Sequence, residues 1–285
     1  MDESTTPLRI ASRRILIGGG SEPYRIVPGV LSMQGAWITG FEPLDENTVL
    51  DSETLDLGDK WVTPSFVNAH THIALGVMRG MDVETASAGN MVEEVFFRFE
   101  SKCTKEDVLA FARVGAYACL MNGVGHIWDH YYHGDVVAQA MREVGLTGVV
   151  APTLQDLSGP GKEMWVDSLG ATQAIHSDYG YASRGIFAAL GPQATDTVSA
   201  ALWTRALKWS EQWDIPIHAH LAQSLEEVQR CRERHGLTPV EWLRSLGILD
   251  GAPGAVFAHA LFATEQDLSL LDAHRHHLVF CPYSN

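Results

Sequence analysis

Trp61-Val-Thr-Pro-Ser-Phe-Val-Asn-Ala-His70-Thr-His72 is an apolar run that stops at two histidines separated by one residue. Side chains alternate faces along a strand, so an extended conformation points His70 and His72 the same way. Two imidazoles converging at the end of a buried strand can hold a divalent ion, with further ligands required from elsewhere in the fold. The functional question is where the other apolar strands end.

Downstream of Trp61, apolar runs alternate with amphipathic stretches, which is the pattern of βαβ units and a parallel sheet. Seven strands are predicted, at 62–70, 124–129, 147–151, 185–191, 215–221, 255–260 and 278–281. Thr104-Lys-Glu-Asp reads as the capped start of a helix over 108–121. Ser224-Leu-Glu-Glu227 has the spacing of a capping box, which gives Glu226 and Glu227 capping or solvated positions. A helix after nearly every strand is the grammar of a TIM (β/α)8 barrel, whose catalytic groups sit at the C-terminal strand ends. Residues 1–60 differ: short β-type runs such as Ile15-Leu-Ile are broken by Gly18-Gly-Gly and by Pro23, Pro28 and Pro43, so they form a small all-β segment beside a barrel at 61–285. The polar stretch 153–184 is expected to form a lid or wall over the catalytic face.

Bulk properties narrow the class of function. With 285 residues, 46% of them hydrophobic, the chain can bury one large core. A formal net charge of −15 and a pI near 5.2, with no basic stripe, argue against nucleic-acid binding. Nothing resembles a signal peptide or an apolar run of membrane-spanning length, so a cytoplasmic protein with no membrane partner is expected. Cys103, Cys119, Cys231 and Cys281 form no CxxC pair and read as reduced, structural thiols. Gly18-Gly-Gly20 leads to Pro23 and not to a helix, and Gly159-Pro-Gly-Lys162 lacks the P-loop Ser or Thr, so neither supports a nucleotide cofactor.

Other strand ends do carry polar groups. Ile215-Pro-Ile-His218-Ala-His220-Leu closes the fifth strand, Ala255-Val-Phe-Ala-His259 the sixth, and Gly123-Val-Gly-His126-Ile-Trp128-Asp129-His130 crowds the second. His274, His276 and His277 precede the seventh strand, at the barrel's stability face, and read as surface residues. Trp128, Tyr131, Tyr132, Met91, Phe96 and Phe97 flank the first two strand ends and suit either a pocket wall or the core.

The pieces Pro64-Ser-Phe-Val-Asn-Ala-His70-Thr-His72, Gly191-Pro-Gln-Ala, His218-Ala-His220-Leu-Ala-Gln223, Phe257-Ala-His259-Ala and Cys281-Pro-Tyr-Ser-Asn285 resemble, in order, the amidohydrolase superfamily. The resemblance is to its cytosine deaminase-like branch, which includes methylthioadenosine/S-adenosylhomocysteine deaminases, guanine deaminases and triazine hydrolases. It implies that His70, His72 and His220 are metal ligands, that His218 is an inner structural partner, and that His259 polarises substrate or attacking water. It makes the N-terminal segment part of a β-sandwich. The fourth strand ends Leu190-Gly191-Pro192-Gln193 without the lysine that bridges two metals in some members, so one divalent ion is implied, zinc before iron.

The resemblance therefore implies a hydrolase that uses metal-activated water on a non-peptide carbon–nitrogen bond of a small heterocyclic or amidine-like substrate. Gln223 stands where the deaminases carry a glutamate and Gln193 where many carry a histidine. An amide orients a ring nitrogen but cannot shuttle a proton. Gln223 is taken as catalytic together with His259, and Gln193, Trp128 and His130 as substrate contacts. The glutamine keeps an alternative open, hydrolytic loss of halide from a triazine-like ring, since halide leaves unprotonated. The superfamily's metal-binding aspartate belongs to an eighth strand beyond Asn285, so the sequence is expected to be truncated before it, and a catalytically incompetent fragment or binding protein is the competing class. For assembly, the resemblance implies a homodimer.

Overall fold

The computed structural model describes residues 8–35, 37–45, 47–81 and 91–282. The chain divides into two compact units, with the division between Ser65 and Phe66.

The first unit is a single five-stranded sheet. β1 (Leu8–Gly19) and β2 (Glu22–Gln34) pair antiparallel with Ile10 opposite Leu31, and β3 (Trp37–Pro43) continues on β2. β4 (Thr54–Asp56) and β5 (Trp61–Val62) both run parallel to β1. The Ser12 hydroxyl donates to the Lys60 carbonyl at 2.5 Å and so ties β1 to the residue before β5. Trp61–Val62, which the sequence reads as the start of the first barrel strand, therefore belongs to this sheet. Pro64 has no N–H for a ladder and interrupts the run between β5 and the strand that carries His70.

The second unit is a set of parallel strands laid side by side in chain order. β6 (Phe66–Thr71) pairs with β7 (Val124–Tyr131) and β7 with β8 (Thr147–Leu154). β9 (Ile186–Ala188) and β10 (Gly191–Pro192) both lie along β8 and together make the fourth strand position. β11 (Ile217–Leu221), β12 (Ala255–His259) and β13 (His276–Val279) continue in parallel, and a Leu190–Ile217 bridge joins the two groups. Parallel neighbours need long crossovers. These are made by α1 (Lys105–Met121), α2 (Gly134–Val144), α3 (Trp165–Ser177), α4 (Ala200–Trp213) and α5 (Leu225–His235), among shorter helices. Ile127, Met141, Leu154, Ile186, Leu190, Trp203, Ile217, Leu221 and Phe257 are fully buried in the layer between sheet and helices. Burying a side chain of this size contributes roughly 1.5–3 kcal/mol. No helix among the described residues is long and apolar enough to cross a membrane.

Three expectations change. The stretch 153–184 is only in part a loop: it holds the end of β8 and helix α3, whose Ser168, Thr172 and Ile175 face inward, and from the segment 155–164 between them Pro160 and Met164 line a cavity. The small and polar residues of α3 hide its periodicity in the sequence. Thr104 and Asp107 do form a full capping box on α1, but Ser224 makes only half of one on α5. It accepts from the Glu227 N–H at 3.1 Å while the Glu227 carboxylate turns inward. His274 and His277 are exposed as read, whereas His276 is buried, accepting from the Asp272 N–H at 2.8 Å and donating to the Leu249 carbonyl at 2.9 Å.

Candidate metal centre

His70 occupies the end of β6, and His72 the residue just past it. His220 lies near the end of β11, so the three imidazoles come from strands far apart in sequence but facing one another across the unit. One nitrogen from each lies within 4.8 Å of the others. Helix α1 packs so closely on the turn after His72 that a Cβ at Gly115 would stand 2.1 Å from the Ile73 carbonyl. Only glycine allows that approach.

Each ring has its second nitrogen engaged. His72 Nδ1 donates to the His130 carbonyl. His220 Nδ1 donates to the Gln193 carbonyl at 2.9 Å, and that same oxygen accepts the His220 backbone N–H at 2.9 Å. His70 Nδ1 meets His218 Nε2 at 2.9 Å. This is how metal-bound histidines are oriented: the far nitrogen donates and the near one keeps its lone pair.

His72 Nε2 and His220 Nε2 then face each other at 3.3 Å, and His70 Nε2 is buried without a hydrogen-bond partner. Tetrahedral zinc with Zn–N of about 2.0–2.1 Å sets ligand nitrogens about 3.3–3.4 Å apart. Burial holds His72 down to about 4 and pushes His70 and His220 well below their ordinary value, so all three are neutral bases near pH 7, the form that binds metal. The donor set fits a divalent ion.

His259, the last residue of β12, stacks on His220 with ring centroids 5.6 Å apart and lies edge-on to His70 at 5.5 Å. Its φ is +76°, and the next residue, Ala260, is also left-handed at +53°. A non-glycine residue held there costs on the order of 1–3 kcal/mol, strain that concentrates at functional sites. Here it turns the chain at the strand end while the ring stays against the ligands.

The remaining sequence candidates separate into two groups. Gln193 and Gln223 come together with Asp196, Thr197, Val92 and Phe97 around a cavity of about 10 Å³, room for about one water. Trp128 and His130 do not face that cavity. Trp128 packs edge-on to His218 and against Val149, Ala151 and Ala189. The His130 ring is buried with Nε2 on the Gly191 carbonyl at 3.1 Å and Nδ1 on Thr153 Oγ1 at 3.2 Å, so both nitrogens are taken up within the fold. Of the weaker aromatic candidates, Phe97 reaches the glutamine cavity, and Tyr131 and Tyr132 line a second one. Tyr283–Asn285 of the last matching motif lie outside the described residues.

Two buried carboxyls around the centre escape the sequence reading. Asp129 Oδ2 accepts the Ile73 N–H at 2.7 Å, and its Oδ1 is buried without a partner. Burial pushes this carboxyl up to about 7. Asp129 closes an apolar strand, so its position is a visible signal; the neighbouring histidines masked it. Glu227 accepts from the Gln223 N–H at 2.8 Å and from the Thr195 hydroxyl at 2.6 Å, and burial together with nearby Asp196 pushes it up to about 7. Above it, Arg230 bridges Glu93 and Asp196, the latter at 3.1 Å.

Parallel strands in barrel order, with an imidazole cluster at their C-terminal ends, define a fold of the TIM-barrel type with a cluster that could hold a metal. Residues 61–285 match the model of the amidohydrolase family, and the chain belongs to that family. A 5'-deoxyadenosine deaminase of Methanothrix thermoacetophila is 30% identical over 244 residues, 82% of this chain and 54% of the relative. The chain spans about half the length of the curated relatives it matches. Among solved structures, guanine deaminase from C. acetobutylicum with bound guanine superposes with a TM-score of 0.80 at 16% identity, covering 98% of this chain and 68% of that one. Atrazine chlorohydrolase from Arthrobacter aurescens complexed with zinc gives 0.76 at 17% identity, covering 96% and 64%. At these identities the two likenesses speak for the fold.

Proposed function

We propose that this chain carries the site of a metal-dependent hydrolase that uses activated water to cleave a non-peptide carbon–nitrogen bond in a small heterocyclic or amidine-like substrate, a deaminase in its simplest form. The observation that carries this reading is the convergence of His70, His72 and His220, each oriented through its far nitrogen, with His259 stacked beside them. The three histidines would hold one divalent ion, and zinc is favoured over iron because the chlorohydrolase neighbour is complexed with zinc. Such an ion supplies a Lewis acid and a bound water of lowered pKa.

The chain's own residues do the rest. The His259 imidazole, stacked on His220 beside the ligands, hydrogen-bonds the attacking water or polarises the carbon it attacks. Gln223 and Gln193 offer amides that orient ring nitrogens of the substrate, and the Gln193 carbonyl fixes His220. Trp128 and His130 take positioning roles: Trp128 backs His218, and the His130 carbonyl holds His72. The apolar side chains that the N-terminal sheet leaves exposed, Tyr24, Ile26, Trp37 and Ile38, support its being one layer of a β-sandwich.

A 6-amino purine nucleoside is the first substrate class to test, because the curated relatives are named as deaminases of such compounds. Purified protein should hold one equivalent of zinc and release ammonia from 5'-deoxyadenosine. Absence of stoichiometric metal, or a His70→Ala variant as active as the parent, would refute the reading. A second reading, hydrolytic loss of halide from a triazine-like ring, is favoured by Gln223 alone, and parallel assays for ammonia and chloride separate the two.

A further inference from the structure

Away from the glutamine cavity, a larger one of about 140 Å³ lies beside the end of β7. Glu100, the last residue of the helical segment 92–100, lines it and hydrogen-bonds the hydroxyl of Tyr131. Cys103, Tyr132, His133 and Met164 line it as well. Among its described lining residues there is no lysine or arginine, and Glu100 is the only acid. Lys105, the cation near His133, is tied to Asp135 at 2.5 Å. Burial pushes the Glu100 carboxyl up to about 7. Glu100 is half-buried, and the His133 imidazole is the only basic side chain among the described lining residues, so a small cation in the cavity would offset the carboxylate charge.

We infer that this cavity is a binding site for ammonium and small primary ammonium ions, with Glu100 as the anionic partner. An ammonium ion is the size of a water, whose share of liquid volume is about 30 Å³, so it fits with space for a short alkyl group. Its N–H groups meet the Glu100 carboxylate and the Tyr131 oxygen. Tyr131 and Tyr132, with ring centroids 5.4 Å apart and planes at 62°, both line the cavity and place aromatic surface next to a cation held there. A neutral ammonia molecule entering the cavity takes the carboxyl proton of Glu100 and leaves an ammonium–carboxylate pair, with no net change in charge. The Tyr131 ring also approaches His72, with centroids 6.1 Å apart, so a residue lining this site also neighbours the candidate metal centre. Its use as a holding place for released ammonia rests on the deamination proposed above; the binding itself does not.

The test needs no substrate, so its failure is distinct from failure of the hydrolase reading. Purified protein is melted in increasing ammonium chloride and, at equal ionic strength, in sodium and potassium chloride. Ammonium is expected to raise the melting temperature saturably, by a few degrees at roughly ten times Kd, beyond any effect of the other two salts. Glu100→Gln, which mimics the neutral carboxyl, is expected to remove the saturable shift while metal content stays the same. Equal shifts with potassium, or a saturable ammonium shift retained in Glu100→Gln, overturn the inference. Should that variant not fold, the parent protein still decides the matter. Methylammonium must reproduce the ammonium effect and tetramethylammonium, which has no N–H, must not; an equal response to tetramethylammonium also overturns it.

Discussion

His72 Nε2 stands 3.3 Å from His220 Nε2, although each ring donates through Nδ1 to a backbone carbonyl and so presents a lone pair to the other. Two lone pairs at that separation repel unless a cation lies between them. Zinc at about a hundred times its Kd should therefore stabilise the fold by about 2.7 kcal/mol. His72→Ala and His220→Ala should each lose both the bound metal and this stabilisation, as read by metal analysis and thermal melts with and without chelator.

His259 offers a separation of stability from chemistry. Asparagine tolerates left-handed φ better than other side chains, so His259→Asn should keep the melting temperature close to that of the parent. Loss of the imidazole should cut turnover by about 10²- to 10⁴-fold. A variant that unfolds, or one that stays active, would contradict this assignment.

Asp129 holds the turn after His72 from the neighbouring strand, through its bond to the Ile73 N–H. Asp129→Ala leaves that buried N–H without an acceptor, at a cost of about 1–3 kcal/mol. The ligand it supports should then bind metal about 10- to 100-fold more weakly. Equilibrium zinc titration of folded variant and parent measures this directly.

Glu227 sets a pH dependence of stability. Its folded-state value of about 7 lies above the ordinary 4.5, so the native state binds more protons than the unfolded state between these pH values. Its contribution is complete below about pH 4.5 and declines as pH rises toward and past 7, by roughly 3 kcal/mol at most. Chemical denaturation across this range should show the decline in the parent and a flatter profile in Glu227→Gln.

Gln223→Glu places an ionisable group where the amide now faces the cavity beside Gln193. Under the proposed function it should raise ammonia release from amino-substituted rings relative to chloride release from halogenated ones. An unchanged ratio would remove Gln223 from the chemistry.

Much of this architecture is legible along the chain because it depends on local periodicity. The apolar runs at 124–129, 147–151, 215–221 and 255–260 fall on β7, β8, β11 and β12. The histidines that converge are ones that close such runs. The seventh strand, expected at 278–281, forms at His276–Val279, a shift of two residues that buries His276. The run 61–72 shows no boundary in its sequence, since its hydrophobicity continues through Pro64 while its hydrogen-bonding partners change from β1 to β7.

The parallel α/β grammar and the residue types that stand at the strand ends follow from residue order alone, since strand and helix periods are properties of neighbouring residues. What those residues face follows from the packing of distant parts of the chain. The His72–His220 approach spans 148 positions, the Asp129–Ile73 bond 56 and the His72–His130 carbonyl contact 58. The inward turn of Glu227, the engaged ring of His130 and the cavity at Glu100 arise the same way. Each depends on groups brought close by the packing of strands against helices, which no local pattern records.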